Sequence, residues 1–423
     1  MGSLHTPIGK FIAALALGAL ALGAPLSADA AKPKPHASAK HHGKHRHHHK
    51  RHHMLAVSPD APTAALVFDA DSGRVLSVSN PDQLVYPASL TKMMTLYLTF
   101  RAVREGWVGL SDNFVVSSYA ASAPPTSLRL QAGTSVSVND LISGAVTESA
   151  NDAARVLAEG LDLRYGRQLQ NALRRDLAQI ESDHANDIAD DPQTPDDIAD
   201  WANFERATHA LLDLIAADGT EYDFARIMTL QARLLGMDNT VFRNASGLPD
   251  MDQVTTAPDY ALLAYAIVKM PATYYNYFSM QYFDYQGAAH RNHNMQFLTH
   301  YDGADGIKTG YTVAGGFNVV DSAVHGGRRL IAVIMGRPSR VAREEEVMQL
   351  LDNGFQLAAM MPAAPAADTT ADLRVGDTLD LPTLPPITVS PAGATTAALP
   401  RPPGGVPMLL QPTVPSTVTA ANQ

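Results

Sequence analysis

The chain contains no cysteine, which excludes disulfides, thiolate nucleophiles and cysteine-ligated zinc or iron–sulfur centres. It also lacks a bilayer-spanning run. The apolar stretch at residues 11–23 has thirteen residues, short of the roughly 20 that cross a membrane as a helix. Lysine is nearly absent from the body: beyond residue 54 there are 21 arginines but only three lysines, Lys92, Lys269 and Lys308. Residues 31–54 lack acids altogether, and residues 181–200 lack Lys and Arg altogether. What is present suffices for a folded protein. The 423 residues are 46% apolar and 17% charged, enough for a sizeable core and one or two domains. The net charge of −10 hides a split, because the first 54 residues sum to +7 and the remainder to −17. An acidic body argues against nucleic acid as a partner.

The organisation follows from composition. Residues 1–30 read as a secretory signal: Lys10, the apolar run, then a small-x-small site at Ala28-Asp29-Ala30. The expected location is therefore outside the cytoplasm: periplasmic, in association with cell wall or inner membrane. Residues 31–54 hold nine His and seven Lys or Arg and read as a disordered linker. The tract from His41 to His53 leaves three readings open: weak metal contact, weak contact with an anionic surface, or plain spacing. Residues 55–360 form the expected folded domain. Residues 361–423 carry twelve of the 28 prolines and read as a mostly disordered tail, with one short strand expected near residues 373–381.

Within the body, residues 64–70 and 74–79 alternate around Asp71-Ser72-Gly73, a hairpin signal. A helical pattern runs from Ser89 to about Glu105. A second hairpin is expected from residues 317–324 and 330–335 around Gly326-Gly327. Strands at both ends with helices between predict an α+β fold whose terminal strands meet in one sheet. Residues 163–215 read as an excursion: helices at about 163–180 and 198–216 around an acidic loop with Pro192 and Pro195.

The lysine count points to chemistry. Lysine's pKa moves readily on burial, so it can serve as a base, whereas guanidinium stays protonated. Lys92 follows Ser89 by three residues in YPASLTKMMT, which puts both side chains on one helical face. A desolvated Lys one turn from a Ser hydroxyl is a nucleophile with its base. The plain alternative is a surface helix capped by Ser89. Lys308-Thr309-Gly310 follows a turn and enters a strand, where glycine lets a ligand or another backbone approach; an exposed strand-start Lys is the plain alternative. Ser149-Ala150-Asn151 stands at the mouth of a helix and could be a cap. Two other Ser-x-Asn triplets, at Ser111 and Ser137, read as turn or cap chemistry.

Taken in order, SLTK, SAN and KTG resemble the active-site set of serine penicillin-recognising enzymes. The flanks AALVFDADSGRVL, ESANDAARVLAE, ARLLGMDNTVFRNASGLPD, DGIKTGYT and GGRRLIAVIMG resemble the low-molecular-mass D-alanyl-D-alanine carboxypeptidases, peptidase family S11. The likeness covers nearly all of residues 60–355. It implies a penicillin-binding-protein/β-lactamase-like fold: an antiparallel sheet packed by helices, a mainly helical lobe, and the active site between them. It implies removal of the terminal D-alanine from peptidoglycan stem pentapeptides, acylation by β-lactams, and neither metal nor organic cofactor. By the same resemblance Ser89 is the nucleophile, Lys92 its base, and Ser149 with Lys308 the route of a proton to the leaving D-alanine. Asn151 orients the peptide amide, and the N–H groups of Ser89 and Tyr311 form the oxyanion hole. Thr309, with Gly310 in the same triplet, and Arg343 bind substrate; Arg343 could instead pair on a surface helix with Glu344, Glu345 and Glu346.

The chain also departs from the family. The acidic excursion looks inserted, the usual C-terminal sheet domain and amphipathic anchor are not visible, and Ser246 stands where many relatives have His. Three rivals remain: an endopeptidase cutting cross-links, a class A β-lactamase, and a non-catalytic wall-binding protein. The β-lactamase needs a Glu-x-x-Leu-Asn element, and none is found between SAN and KTG.

Overall fold

The computed structural model describes residues 57–58, 61–190 and 195–360. The expected signal segment, the His-rich tract and the Pro-rich tail with its strand lie outside the described residues.

The first hairpin forms where the alternation placed it, with β1 (Ala64–Asp69) antiparallel to β2 (Val75–Ser79). Asp69 Oδ1 accepts from the N–H groups of Asp71 and Ser72, which ties the turn. A short 3-10 turn, Ala88–Thr91, then leads into α1 (Lys92–Arg104). Ser89 therefore lies inside that turn and is not the cap of an exposed helix. Residues 92–102 of α1 are all buried, so the helix runs through the core. Each fully buried large apolar side chain contributes about 1.5–3 kcal/mol relative to exposure, and Leu96, Leu98 and Phe100 anchor the element that carries Lys92.

A two-stranded ribbon follows, β3 (Asn113–Val115) and β4 (Ser135–Ser137), with α2 (Ser118–Ala121) between them. Ser137 caps α3 (Val138–Thr147) by accepting from the Asp140 N–H, the role its triplet suggested. Then α4 runs unbroken from Asn151 to Asp190, and α5 (Pro195–Asp213) returns. The expected acidic loop is mostly helix. Exposed Asp and Glu cost a helix little, and Pro195 opens α5 at the first helical position, where proline is tolerated. His184 stacks on Trp201 with centroids 3.6 Å apart, and Glu181 pairs with His209, joining α4 to α5.

Next come α6 (Glu221–Leu234), α7 (Ala257–Val268) and α8 (Ala272–Tyr275). A small ribbon, β5 (Tyr282–Tyr285) with β6 (Ala288–Arg291), and α9 (Met295–His300) follow. The chain closes with β7 (Ala304–Thr312), β8 (Gly316–His325), β9 (Arg328–Arg337) and α10 (Arg340–Met360). The main sheet is antiparallel in the order β2-β1-β9-β8-β7, so the first hairpin and the last three strands meet as expected. In β1 the pairing sets Ala64 against Met335 and Asp69 against Leu330. Alternation along β1 divides the core: Ala65 and Val67 pack with Val347 and Leu351 of α10, while Leu66 and Phe68 face the helical lobe. Among the described residues no helix is long and apolar enough to cross a membrane.

Candidate active site

Three elements distant in sequence converge at one end of β7: the turn with α1, the corner between α3 and α4, and β7 itself. Lys92 is fully buried, with Nζ 3.1 Å from Ser89 Oγ, 2.7 Å from Asn151 Oδ1 and 2.5 Å from the Ser246 carbonyl oxygen. Burial pushes its pKa well below the usual lysine value. The Lys308 charge lowers it further, against smaller opposing effects of Glu221 and Asp152. A neutral amine has two N–H bonds and one lone pair. In that neutral form Asn151 Oδ1 and the Ser246 carbonyl take the two hydrogens, which leaves the lone pair for the Ser89 hydroxyl.

The SAN corner is held from the 124–130 loop. Asn151 Nδ2 donates to the Pro124 carbonyl at 2.6 Å, which turns Oδ1 towards Lys92. The Asp152 carboxylate accepts from the N–H groups of Leu128 and Leu130, and Thr126 Oγ1 donates to the Ser149 carbonyl. Ser149 adopts φ +55°, a left-handed conformation that costs a residue with a Cβ on the order of 1–3 kcal/mol. Its hydroxyl is buried, lines the cleft and has no hydrogen-bond partner among the described residues.

On β7, Lys308 is buried and its Nζ donates to the Thr309 carbonyl at 2.9 Å. Burial, with the Arg343 charge second, brings its pKa down to about 7. It is not an exposed strand-start Lys. Gly310 lets β7 pass close to the turn: a Cβ there would lie 3.1 Å from the backbone nitrogen of Ser89 and 3.0 Å from the Pro87 carbonyl oxygen. Thr309 and Tyr311 line the cleft, and the Tyr311 ring packs 4.4 Å from that of Phe317.

The cleft has a volume of about 1390 Å³ and is lined by Ser89, Ser149, Asn151, Thr309, Tyr311 and Arg343, among others. Arg343 pairs with Glu344 at 2.9 Å as the plain alternative held, yet it is buried in the cleft wall and not on a helix surface. Lys92 and Lys308 sit behind the lining. Every candidate residue thus falls at one site.

Other parts of the site escaped the sequence reading. The Ser246 side chain bonds locally to Asn244, in keeping with no assigned role, but its backbone carbonyl holds Lys92. No side-chain motif signals a carbonyl. Asn318 donates to the Tyr86 carbonyl at 2.8 Å and accepts from the Gly336 N–H, tying the sheet to the chain before Ser89. His293 lines the cleft, and burial followed by the charges of Lys308, Lys92, Arg343 and Arg340 lowers its pKa to about 4. It is neutral at neutral pH. Among the described residues one carboxylate group has metal-like spacing, Asp162, Asp218 and Asp223, and it is not part of the cleft lining. Its carboxylates accept from the N–H groups of Ala216, Ala217, Gly219 and Thr220, which accounts for them as loop ties.

A buried lysine poised on a serine hydroxyl, with a second lysine strand beside it, defines a class: serine enzymes of the Ser-Lys acyl-transfer type. A family model, D-alanyl-D-alanine carboxypeptidase (peptidase S11), matches residues 53–162 and 202–339, more than half of the chain. The unmatched stretch between falls within the α4–α5 excursion. The chain is 26% identical over 318 residues to the D-alanyl-D-alanine carboxypeptidase DacF of Bacillus subtilis, covering 74% of this chain and 67% of that protein. It is 30% identical over 305 residues to DacD of Escherichia coli, covering 69% and 62%. The chain thus spans about two thirds or less of the length of these curated relatives. Its fold matches the crystal structure of penicillin binding protein 5 from Haemophilus influenzae with a TM-score of 0.54, 28% identity, and coverage of 70% and 71%. The chain belongs to the peptidase S11 family, and its fold is the penicillin-binding-protein α+β fold.

Proposed function

We propose that the protein is a serine D,D-carboxypeptidase that removes the terminal D-alanine from peptidoglycan stem pentapeptides. The observation that carries this reading is the Lys92 amine, buried and 3.1 Å from Ser89 Oγ, with Asn151 Oδ1 and the Ser246 carbonyl oxygen as its other two partners. Neutral Lys92 takes the Ser89 proton as Oγ attacks the carbonyl of the penultimate D-alanine. The N–H groups of Ser89 and Tyr311 receive the developing oxyanion. Ser149 and Lys308 deliver a proton to the leaving amine, and water then hydrolyses the Ser89 ester. Asn151 orients the peptide amide, while Thr309, Gly310, Tyr311 and Arg343 seat the substrate and its terminal carboxylate. A β-lactam acylates Ser89 by the same steps, because ring opening replaces departure of the amine.

Mass spectrometry of products from purified pentapeptide and from cross-linked muropeptides tests the reading. Release of free D-alanine from the pentapeptide is expected. Cleavage of cross-links alone would move the assignment to an endopeptidase, and ring opening of penicillin with rapid turnover to a β-lactamase. The N-terminal pattern supports export to the periplasm, which fractionation of producing cells with an antibody to the folded domain examines. For the tract from His41 to His53 we propose weak contact with an anionic surface, supported by its four Lys and Arg residues with no acid among them. Acid should strengthen that contact, whereas it should release a bound metal ion; vesicle co-sedimentation at pH 5 and 7.5 separates the two.

A further inference from the structure

Glu221 opens α6 and is only 4% exposed, although it carries a charge. Both of its oxygens are occupied. Oε1 accepts from the Ala245 N–H at 2.9 Å, and Oε2 accepts from the Tyr119 hydroxyl at 2.6 Å and meets Arg155 Nε at 3.1 Å. The Arg155 guanidinium stacks 4.0 Å from the Tyr119 ring centroid and donates to the Tyr119 carbonyl, so this trio braces itself. On its other side, Ala245 accepts at its carbonyl from Thr95 Oγ1 at 2.7 Å, in the first turn of α1 after Lys92. Both polar groups of residue 245 are therefore clamped. The next carbonyl along the chain is that of Ser246, which accepts from Lys92 Nζ.

We propose that Glu221 is a positioning residue for acyl transfer: it holds Ala245, and so fixes the Ser246 carbonyl that aims the Lys92 amine at Ser89. This inference rests on the acyl-transfer reading above. A buried carboxylate is costly to desolvate unless it is paired and hydrogen-bonded. An uncharged acceptor would satisfy the Ala245 N–H as well. The carboxylate adds a negative charge to the surroundings of Lys92. The charged groups facing Lys92 are Lys308 from β7, Asp152 from α4 and Glu221 from α6. Those facing Glu221 are Arg155 and Glu159 from α4, with the Tyr119 phenol from α2. Neutralising Glu221 removes a charge that favours protonated Lys92 and leaves Arg155 uncompensated, and both changes favour the neutral amine. The acid limb of acylation, which requires neutral Lys92, must then move to lower pH.

The test is the second-order rate of acylation by a fluorescent penicillin as a function of pH, for the full chain and for Glu221→Gln and Glu221→Ala. Glu221→Ala is expected to acylate on the order of 10–100-fold more slowly, the cost of a mis-aimed base. Glu221→Gln keeps an acceptor for the Ala245 N–H, so it should retain most of the rate while its acid limb moves to lower pH. Folded variants with the wild-type rate and an unmoved limb would overturn the inference. Should Glu221→Ala fail to fold, Glu221→Asp decides, because its shorter side chain keeps the charge but withdraws the acceptor from the Ala245 N–H: slower acylation with an unmoved acid limb supports positioning, and the wild-type rate overturns it. A wild-type chain that penicillin does not label would overturn the acyl-transfer reading itself, and this inference with it.

Discussion

Lys92 Nζ lies 2.7 Å from Asn151 Oδ1, a contact between residues 59 positions apart that locks α1 onto the start of α4. Because Asn151 is itself held by the Pro124 carbonyl, the amide cannot turn away. Asn151→Ala should therefore leave the amine with one acceptor and a wandering lone pair. Acylation by penicillin is expected to fall about 100-fold, while stability falls by about 1–3 kcal/mol for the hydrogen bonds lost. Stopped-flow labelling and urea denaturation read the two effects separately.

The base role of Lys92 makes charge alone insufficient. Lys92→Arg should be nearly as inactive as Lys92→Ala, because guanidinium does not deprotonate. Ser89→Ala should abolish covalent labelling altogether. An active Lys92→Arg enzyme, or label persisting on another residue in Ser89→Ala, would defeat the assignment; peptide mapping of labelled protein decides it.

Two glycines differ in what a methyl group would meet. A Cβ at Gly247 would lie 1.9 Å from the Ala88 carbonyl oxygen, with φ at +85°, so Gly247→Ala must displace the turn that carries Ser89. At Gly310 the closest atoms are 3.0–3.1 Å away, and shifts of a few tenths of an ångström suffice. Gly247→Ala should lose both stability and acylation. Gly310→Ala should keep its melting temperature within a few degrees while acylating more slowly, because β7 must back away from Ser89.

Asp321 on β8 is fully buried and accepts at Oδ1 from Asn294 Nδ2 at 2.6 Å. Burial pushes its pKa up to about 8 from the ordinary 3.8. Between those values the folded chain holds a proton that the unfolded chain has lost, so this group's contribution is complete below about pH 4 and gone above about pH 8. Asp321→Asn should remove that dependence. Its stability relative to wild type, measured by urea denaturation, should be most favourable at pH 8 or above and should converge on wild type towards pH 4.

Much of this protein was readable from its residues. The β1–β2 and β8–β9 hairpins were, because alternation and turn residues are local properties. The serine and both lysines were, because a chain that prefers arginine so strongly keeps three lysines in its body, two of them in the site. The acidic loop expected between the two helices of the excursion was misread because acidity was taken for a loop, when residues 181–190 and 195–200 are helical.

Tertiary structure decided the rest. The residues alone specified that Ser89 and Lys92 share a helical face, since a spacing of three is enough to place them there. They did not specify that the Lys92 pKa falls well below that of an ordinary lysine. That depends on complete burial, on the second cation at Lys308, and on two acceptors, Asn151 and the Ser246 carbonyl, that lie 59 and 154 positions away. The desolvation that makes an amine a base is a property of what surrounds it, and only folding supplies those surroundings.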